Sequence, residues 1–343
     1  MRIATYNVEW FNALFDAGNR PLADDGWSGR RDVTRRQQFN ALGAVFRRMD
    51  ADCILVVEAP DTHPPRETVA ALKAFAQAFD LRTSSVVHGF QSGTQQEIAL
   101  MFDPAVVAAH HDPQGGDGIG PPRFDGVFLK DVDIDDSPER HVFSKPPLEV
   151  VMSLPGGDTT RLIGVHAKSK APHGARNRNQ EVRISIENRR KQLAQCLWLR
   201  RRVDVHMEAG ESVIVLGDFN DGPGLDEYEK LFGQSGVEIV TGLQRPSGQQ
   251  LFDPHAAARL DPREAWSPSS ARFFNHRRGV YLNALLDYIM ISEDLRERYD
   301  CAWKIWHPFD DQACFADAPF REHLLTASDH FPVTLDLIST AVE

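Results

Sequence analysis

The chain has 343 residues, 42% of them hydrophobic, and a formal net charge of −11. That length supports one large domain or two ordinary ones. The negative balance excludes a broad non-specific coat on nucleic acid, which needs a basic face, but not a nuclease whose basic residues gather round one cleft. No apolar run reaches the ~20 residues of a membrane span. The start, Met1-Arg2-Ile3-Ala4-Thr5-Tyr6-Asn7, reads as a strand rather than a signal peptide, so a cytoplasmic location is expected. Cys53, Cys196, Cys301 and Cys314 lack metal-ligand spacing and read as free thiols of a reducing compartment.

Strand patterns run over about 2–9, 53–58, 81–88, 96–102, 142–152, 160–167, 212–217, 284–291, 301–306 and 331–337. Thr34-Arg35-Arg36-Gln37 is a capping-box start for a helix over 34–49 that buries Phe39, Leu42 and Phe46. Further helices are expected over 66–79, 180–207 and 224–233, the 180–207 pattern carrying Ile184, Leu193 and Leu197 among many Arg and Lys. Residues 16–33, 110–140 and 242–270 read as surface loops. Strands spread over the whole chain, with helices between only some of them, predict two sheets packed face to face with helices outside, in a single domain of residues 1–343.

The chemistry-bearing residues stand at strand ends. Asn7 closes the first strand, and Glu58 follows the apolar run 53–57. A carboxylate placed so is partnered or cation-bound, because an isolated buried charge is expensive. His166 and Lys168 alternate on one face at the exit of the 160–167 strand. Val213-Ile214-Val215-Leu216-Gly217 runs straight into Asp218, Phe219 and Asn220. Asp218 and Asn220 are two apart, so an extended chain points both to one face, an oxygen-rich corner for a hard cation or a phosphate. Asp287 sits in an apolar strand, and Ser328-Asp329-His330 precedes the last one. No Ser or Cys stands as a nucleophile beside a base. Acids, amides and imidazoles of this kind suit cation-assisted attack of water on a phosphate ester, with imidazole moving protons. The oxygen donors favour Mg²⁺ or Mn²⁺ over zinc.

The ordered set T-Y-N at 5–7, Glu58, V-H-A-K at 165–168, G-D-F-N at 217–220, L-D-Y-I at 286–289 and S-D-H at 328–330 resembles the endonuclease/exonuclease/phosphatase superfamily. That superfamily includes deoxyribonuclease, apurinic endonuclease, inositol-polyphosphate 5-phosphatase and neutral sphingomyelinase. The resemblance implies a four-layer α/β-sandwich of two mixed sheets, with the site at one end. It implies that Asn7 and Glu58 ligate the essential metal, with Asp329 close by. His330 is then the general base or the imidazole facing the scissile phosphate, oriented by Asp287. Asp218 positions or activates the attacking water, and Asn220 and His166 hold phosphate oxygens. His-Ala-Lys-Ser-Lys at 166–170 is similar to a bacterial version of the family pattern, in which Lys168 and Lys170 contact phosphate.

Lys145 stands before Pro146-Pro147 where the family often has Arg, which keeps the charge but loses the bidentate fork; it is a further candidate substrate contact. Arg176, Arg178, Arg183, Arg189 and Arg190 read either as a phosphate cleft or as a solvated helix face. Trp10, Phe11, Trp27 and Phe274 read either as a stacking platform for bases or as core. The expected activity is Mg²⁺-dependent hydrolysis of phosphodiesters, a nuclease acting on nucleic acid. The alternatives are a phosphomonoesterase or a phosphatase of inositol phosphates or phospholipid headgroups on the same site, and a catalytically silent binding module.

Overall fold

The computed structural model describes residues 1–115, 120–132, 138–222, 233–261, 263–264, 267–275 and 279–339. The helix expected over 224–233 falls, but for its last residue, outside those residues. Strands β1 (Arg2–Asn7), β2 (Cys53–Ala59), β3 (Ser85–His88) and β4 (Glu97–Phe102) belong to the first sheet. Then come β5 (Ala109–His111), β6 (Phe128–Lys130), β7 (Glu139–His141), β8 (Leu148–Ser153), β9 (Thr159–His166), β10 (Val213–Asp218) and β11 (Leu251–Phe252). The chain ends with β12 (Ala271–Asn275), β13 (Val280–Ala284), β14 (Asp287–Ser292), β15 (Tyr299–Ile305) and β16 (Val333–Ser339). The longer helices are α1 (Arg35–Met49), α2 (Thr68–Ala78) and α3 (Arg178–Glu208).

The first sheet has the order β15-β16-β1-β2-β4-β3 and the second β11-β14-β10-β9-β8-β5. Both mix parallel and antiparallel pairs, and the fold is the expected α/β-sandwich with helices outside. In the first sheet the pleat sorts side chains. Ile3, Cys53, Leu55 and Val57 face a core shared with Leu162, Val215 and Ile289 of the second sheet. Ala4, Tyr6, Ile54 and Val56 face Phe39, Leu42 and Phe46 of α1 and Phe75 of α2. A sheet covered on both faces explains why β2 is an unbroken apolar run. On the second sheet, α3 packs through Cys196, Leu199 and Val203.

The Thr34 capping box forms as predicted, with the Thr34 hydroxyl accepting from the Gln37 N–H. The strand expected over 142–152 starts only at Leu148, after Pro146-Pro147, which supply no backbone donor. Three short strands, β5, β6 and β7, lie within the expected 110–140 loop, and a helix over Ala318–Ala327 had no counterpart in the expectations. Among the described residues no helix is long and apolar enough to cross a membrane.

Candidate active site

Register sets the site. β9 and β10 run parallel with His166 opposite Asp218, and β10 and β14 run antiparallel with Asp218 opposite Asp287. His166, Asp218 and Asp287 therefore stand in a row across three adjacent strands, all buried. Gly217 makes this row possible. It adopts φ +135°, and a Cβ there would lie 2.0 Å from the Val165 carbonyl oxygen, so no other residue fits between β9 and β10.

The first sheet supplies the facing residues. Asn7 closes β1, and its Nδ2 donates to Asp218 Oδ2 at 3.1 Å, a bond between the two sheets. Glu58 sits at a bulge where β2 slips against β4, in the left-handed region at φ 62°. The bulge re-aims its carboxylate toward the rim of the sheet. Glu9, Trp10 and Asn220 are also left-handed, and this much backbone strain at one place is characteristic of functional sites. The Trp10 N–H donates to Glu58 Oε2 at 2.8 Å, and the Glu9 N–H to Asn7 Oδ1 at 3.1 Å.

His330 comes in just before β16. Its Nδ1 lies 2.7 Å from Asp287 Oδ2, which also accepts from Ser270 Oγ at 2.8 Å. Its Nε2 is 4.0 Å from Asp218 Oδ2. Ser328 holds the turn, its Oγ donating to the Asn7 carbonyl and accepting from the His330 N–H. Burial opposes protonation of His330, but Asp287 and Asp218 outweigh it and raise its pKa well above the ordinary histidine value. Burial raises the Asp218 pKa, against the pull of His330. His166 behaves oppositely: burial, with Lys145 beside it, holds its pKa well below the ordinary value. Its Nε2 lies 3.1 Å from Lys145 Nζ, which also donates to Gln96 Oε1 at 3.0 Å. Burial lowers the Lys145 pKa while Glu58 and Asp218 sustain it.

Asn220 Nδ2 donates to both Asp218 Oδ2 (3.0 Å) and the Ala167 carbonyl (3.2 Å), and its N–H to Asp218 Oδ1 (2.7 Å). Both amide hydrogens are thus engaged within the protein, and the side chain faces Asp218. Lys170 lines the cleft but its Nζ lies 2.6 Å from Asp221 Oδ1, in a buried cluster with Arg189. Arg189 belongs to that cluster rather than to a solvated helix face, whereas Arg190 pairs with Glu139 at the surface. Lys168 lines the cleft beside Ser169.

Asn7, Glu58, Lys145, His166, Asp218 and His330 line one open cleft of about 1120 Å³. Two kinds of acid stand at or behind it. Asp218 and Asp287 are tied to His330, and the ligand atoms of the three lie within 4.8 Å of one another. Glu58 and Asp329 also line the cleft, yet among the described residues neither carboxylate has an ion-pair partner. Burial accordingly pushes the Glu58 carboxyl up, opposed by the Trp10 N–H and Lys145. Glu58, Asp329 and the Asn7 side chain, whose amide oxygen accepts from the Glu9 N–H, offer oxygen donors to the same cleft, the donor chemistry that fits a hard divalent cation. Asp218, Asp287 and His330 also lie close enough to share an ion, and they are tied to one another, with His330 Nδ1 2.7 Å from Asp287 Oδ2.

Sequence reasoning missed several residues. Ser270, Ser328 and Gln96 hold site residues through side-chain oxygens. Glu9 accepts from the Asp329 N–H at 2.8 Å and pairs with Arg30. Of these, Ser328 stands within a motif already singled out and Glu9 lies two residues beyond another, while the others carry no local signal.

Two mixed sheets whose strand ends deliver acids, amides and imidazoles into one cleft define an α/β-sandwich hydrolase of phosphate esters. Residues 4–330 match the Endonuclease/Exonuclease/phosphatase family, and the chain belongs to that family. Among solved structures it resembles truncated TDP2 from Caenorhabditis elegans at 14% identity and a TM-score of 0.51, over 98% of this chain and 97% of that one. It also resembles beta toxin 275–280 from Staphylococcus aureus at 13% identity and a TM-score of 0.50, over 98% and 99%. At such identities the likeness concerns the fold. No curated protein matches the sequence.

Proposed function

We propose that the protein is a divalent-cation-dependent phosphodiesterase, a nuclease, that works by in-line attack of water. The observation that supports this best is the meeting of two unlike acid sets at one cleft: Glu58 and Asp329, which line it with no ion pair among the described residues, and Asp218, which lines it beside His330, with Asp287 on the imidazole's other nitrogen. Glu58, Asn7 and Asp329 are the residues to hold Mg²⁺ or Mn²⁺, which when bound neutralises charge on the phosphate.

The protein's own residues do the rest. Asp218 is buried and its pKa is raised, so it can take a proton from the attacking water. Asn7 and Asn220 donate to its oxygens and fix their direction. His330, held protonated by Asp287, donates from Nε2 to a phosphate oxygen as charge builds there. Lys145 has three N–H donors, of which Gln96 and His166 accept two; the third faces the phosphate. His166 stays neutral and keeps Lys145 in place. Lys168 is a further phosphate contact, while Lys170 acts through Asp221.

The test is a panel of bis-p-nitrophenyl phosphate, p-nitrophenyl phosphate, single-stranded DNA, duplex DNA and RNA, each with Mg²⁺, Mn²⁺ and Ca²⁺. Diester cleavage that needs a divalent cation and disappears in both Glu58→Ala and His330→Ala is expected. Full activity in both variants refutes the assignment. Monoester or inositol-phosphate hydrolysis alone moves the protein to the phosphatase reading.

A further inference from the structure

Many of the aromatic rings of this chain pack against other rings. Phe11, Phe39 and Phe46 gather round Phe75, and Phe124, Phe128 and Phe143 gather round Trp198. Two rings that line the active-site cleft do not. Trp10 is 44% exposed and Phe273 is 37% exposed. Among the described residues neither ring meets another ring or a cation. The other aromatic candidates go elsewhere. Phe11 is core, Phe274 lies against Tyr281 with Arg31 over its face at 5.0 Å, and Trp27 is exposed outside the cleft.

Both rings are anchored to carriers of site residues. Trp10 has a left-handed backbone at φ 57°, and its N–H is fixed on Glu58 Oε2. A Cβ on Gly29 would lie 2.4 Å from the Trp10 Cβ, so this glycine lets its loop close against the root of the indole. Phe273 stands on the β12–β13 hairpin opposite Leu282, which also lines the cleft. That hairpin is tied to the site by the two residues before Phe273: Arg272 N–H donates to the Asp329 carbonyl at 2.7 Å, and Ala271 bridges His330. Backbone ties therefore fix the root of each ring to a cleft acid, Trp10 to Glu58 directly and Phe273 to Asp329 through its neighbour Arg272.

An exposed aromatic face beside a phosphate-binding floor stacks a flat ring, and every nucleobase has such a face. A base inside a duplex has both faces covered by its neighbours, so only a splayed base can reach these rings. A quaternary ammonium group calls for rings closing round it. Among the described residues Trp10 and Phe273 do not meet, so they form no such cage. A local grip of this kind also agrees with a chain whose net charge of −11 rules out a wide basic track. Resting on the phosphodiesterase reading, we infer that Trp10 and Phe273 are specificity-determining residues that stack bases flanking the scissile phosphate. The substrate is then a nucleic-acid strand with unpaired bases at the point of cleavage.

The test compares three substrates: a single-stranded oligonucleotide, its blunt duplex, and a strand of the same length built from tetrahydrofuran abasic units. The base-bearing single strand should be preferred in kcat/KM by about tenfold over both others. Trp10→Ala and Phe273→Ala should each shrink that preference, and Trp10→Phe, which keeps a ring, should retain most of it. The inference is overturned if the preference survives both alanine substitutions, if the duplex is the better substrate, or if only phosphocholine esters are cleaved. Failure of the unmutated protein to cleave any diester, bis-p-nitrophenyl phosphate included, refutes the underlying activity instead. The rings can then still be judged by binding: adenosine monophosphate should raise the thermal midpoint more than inorganic phosphate does, and Trp10→Ala should abolish the difference. Equal shifts from the two ligands in the unmutated protein overturn the inference.

Discussion

Replacing Asp287 with asparagine removes one charge from the site at nearly constant volume. Asp287 Oδ2 lies 2.7 Å from His330 Nδ1, closer than Asp218 Oδ2 lies to Nε2, at 4.0 Å. At an effective dielectric constant of about 20, unit charges ~4 Å apart attract by ~4 kcal/mol, which corresponds to ~3 pKa units. Burial already works against protonation of His330, and relaxation around the new amide recovers part of the loss. A fall of about one to three units in the His330 pKa is therefore expected. The sign follows from the role. A protonated donor is active below its pKa and is lost as pH rises through it, so the alkaline limb of kcat/KM against pH moves to lower pH. At neutral pH kcat/KM should fall by about 10²–10⁴-fold, because less of His330 stays protonated and its Nδ1–H loses the carboxylate that orients the ring. The assay is the pH profile of bis-p-nitrophenyl phosphate hydrolysis at saturating Mn²⁺. An alkaline limb that stays put, or a rate within about threefold of the unmutated protein, refutes the reasoning. Movement of the acid limb instead makes His330 a base and overturns its assignment as donor.

Glu58→Gln keeps the shape of the side chain and removes its charge; we expect a loss of at least about 100-fold in kcat/KM, partly restored by raising Mg²⁺, with weaker Mn²⁺ binding in calorimetry. Gly217→Ala forces a Cβ to within 2.0 Å of the Val165 carbonyl oxygen at a positive φ, so β9 and β10 must part. A destabilisation of ~2–4 kcal/mol and a thermal midpoint lower by several degrees are expected, and an unchanged midpoint contradicts the register described. Arg189→Met leaves the fully buried Asp221 carboxylate with Lys170 as its one cation among the described residues, for a cost of ~3–5 kcal/mol in denaturant titration. Lys170→Met should lower the thermal midpoint more than it raises KM; the reverse order would make Lys170 a phosphate contact.

The sequence was most legible where one rule acted alone. β1 and β10 end at Asn7 and Asp218, Glu58 is the last residue but one of β2, and His330 lies three residues before β16. It was least legible where short elements carry no periodicity, as in β5, β6 and β7, three residues each. The part of Asn220 was also hidden. Its spacing from Asp218 was plain, but only the fold shows the amide spending its hydrogens on Asp218 and on the Ala167 carbonyl. Lys170 likewise read as a phosphate contact until Asp221 and Arg189 were seen beside it.

What the sequence determined by itself is therefore the chemistry on offer: which side chains are acids, amides and imidazoles, and that strands deliver them to sheet ends. It also carried the order of motifs that marks the family. Tertiary structure alone decided which acid serves which partner. Asp287 meets His330 across 43 residues of chain, Asn7 meets Asp218 across 211, and Glu9 meets the Asp329 N–H across 320. The reason is physical. Residue type follows from the local chain, whereas hydrogen bonds and charge coupling depend on distance and burial, and those are set by strand register and by the packing of one sheet on the other.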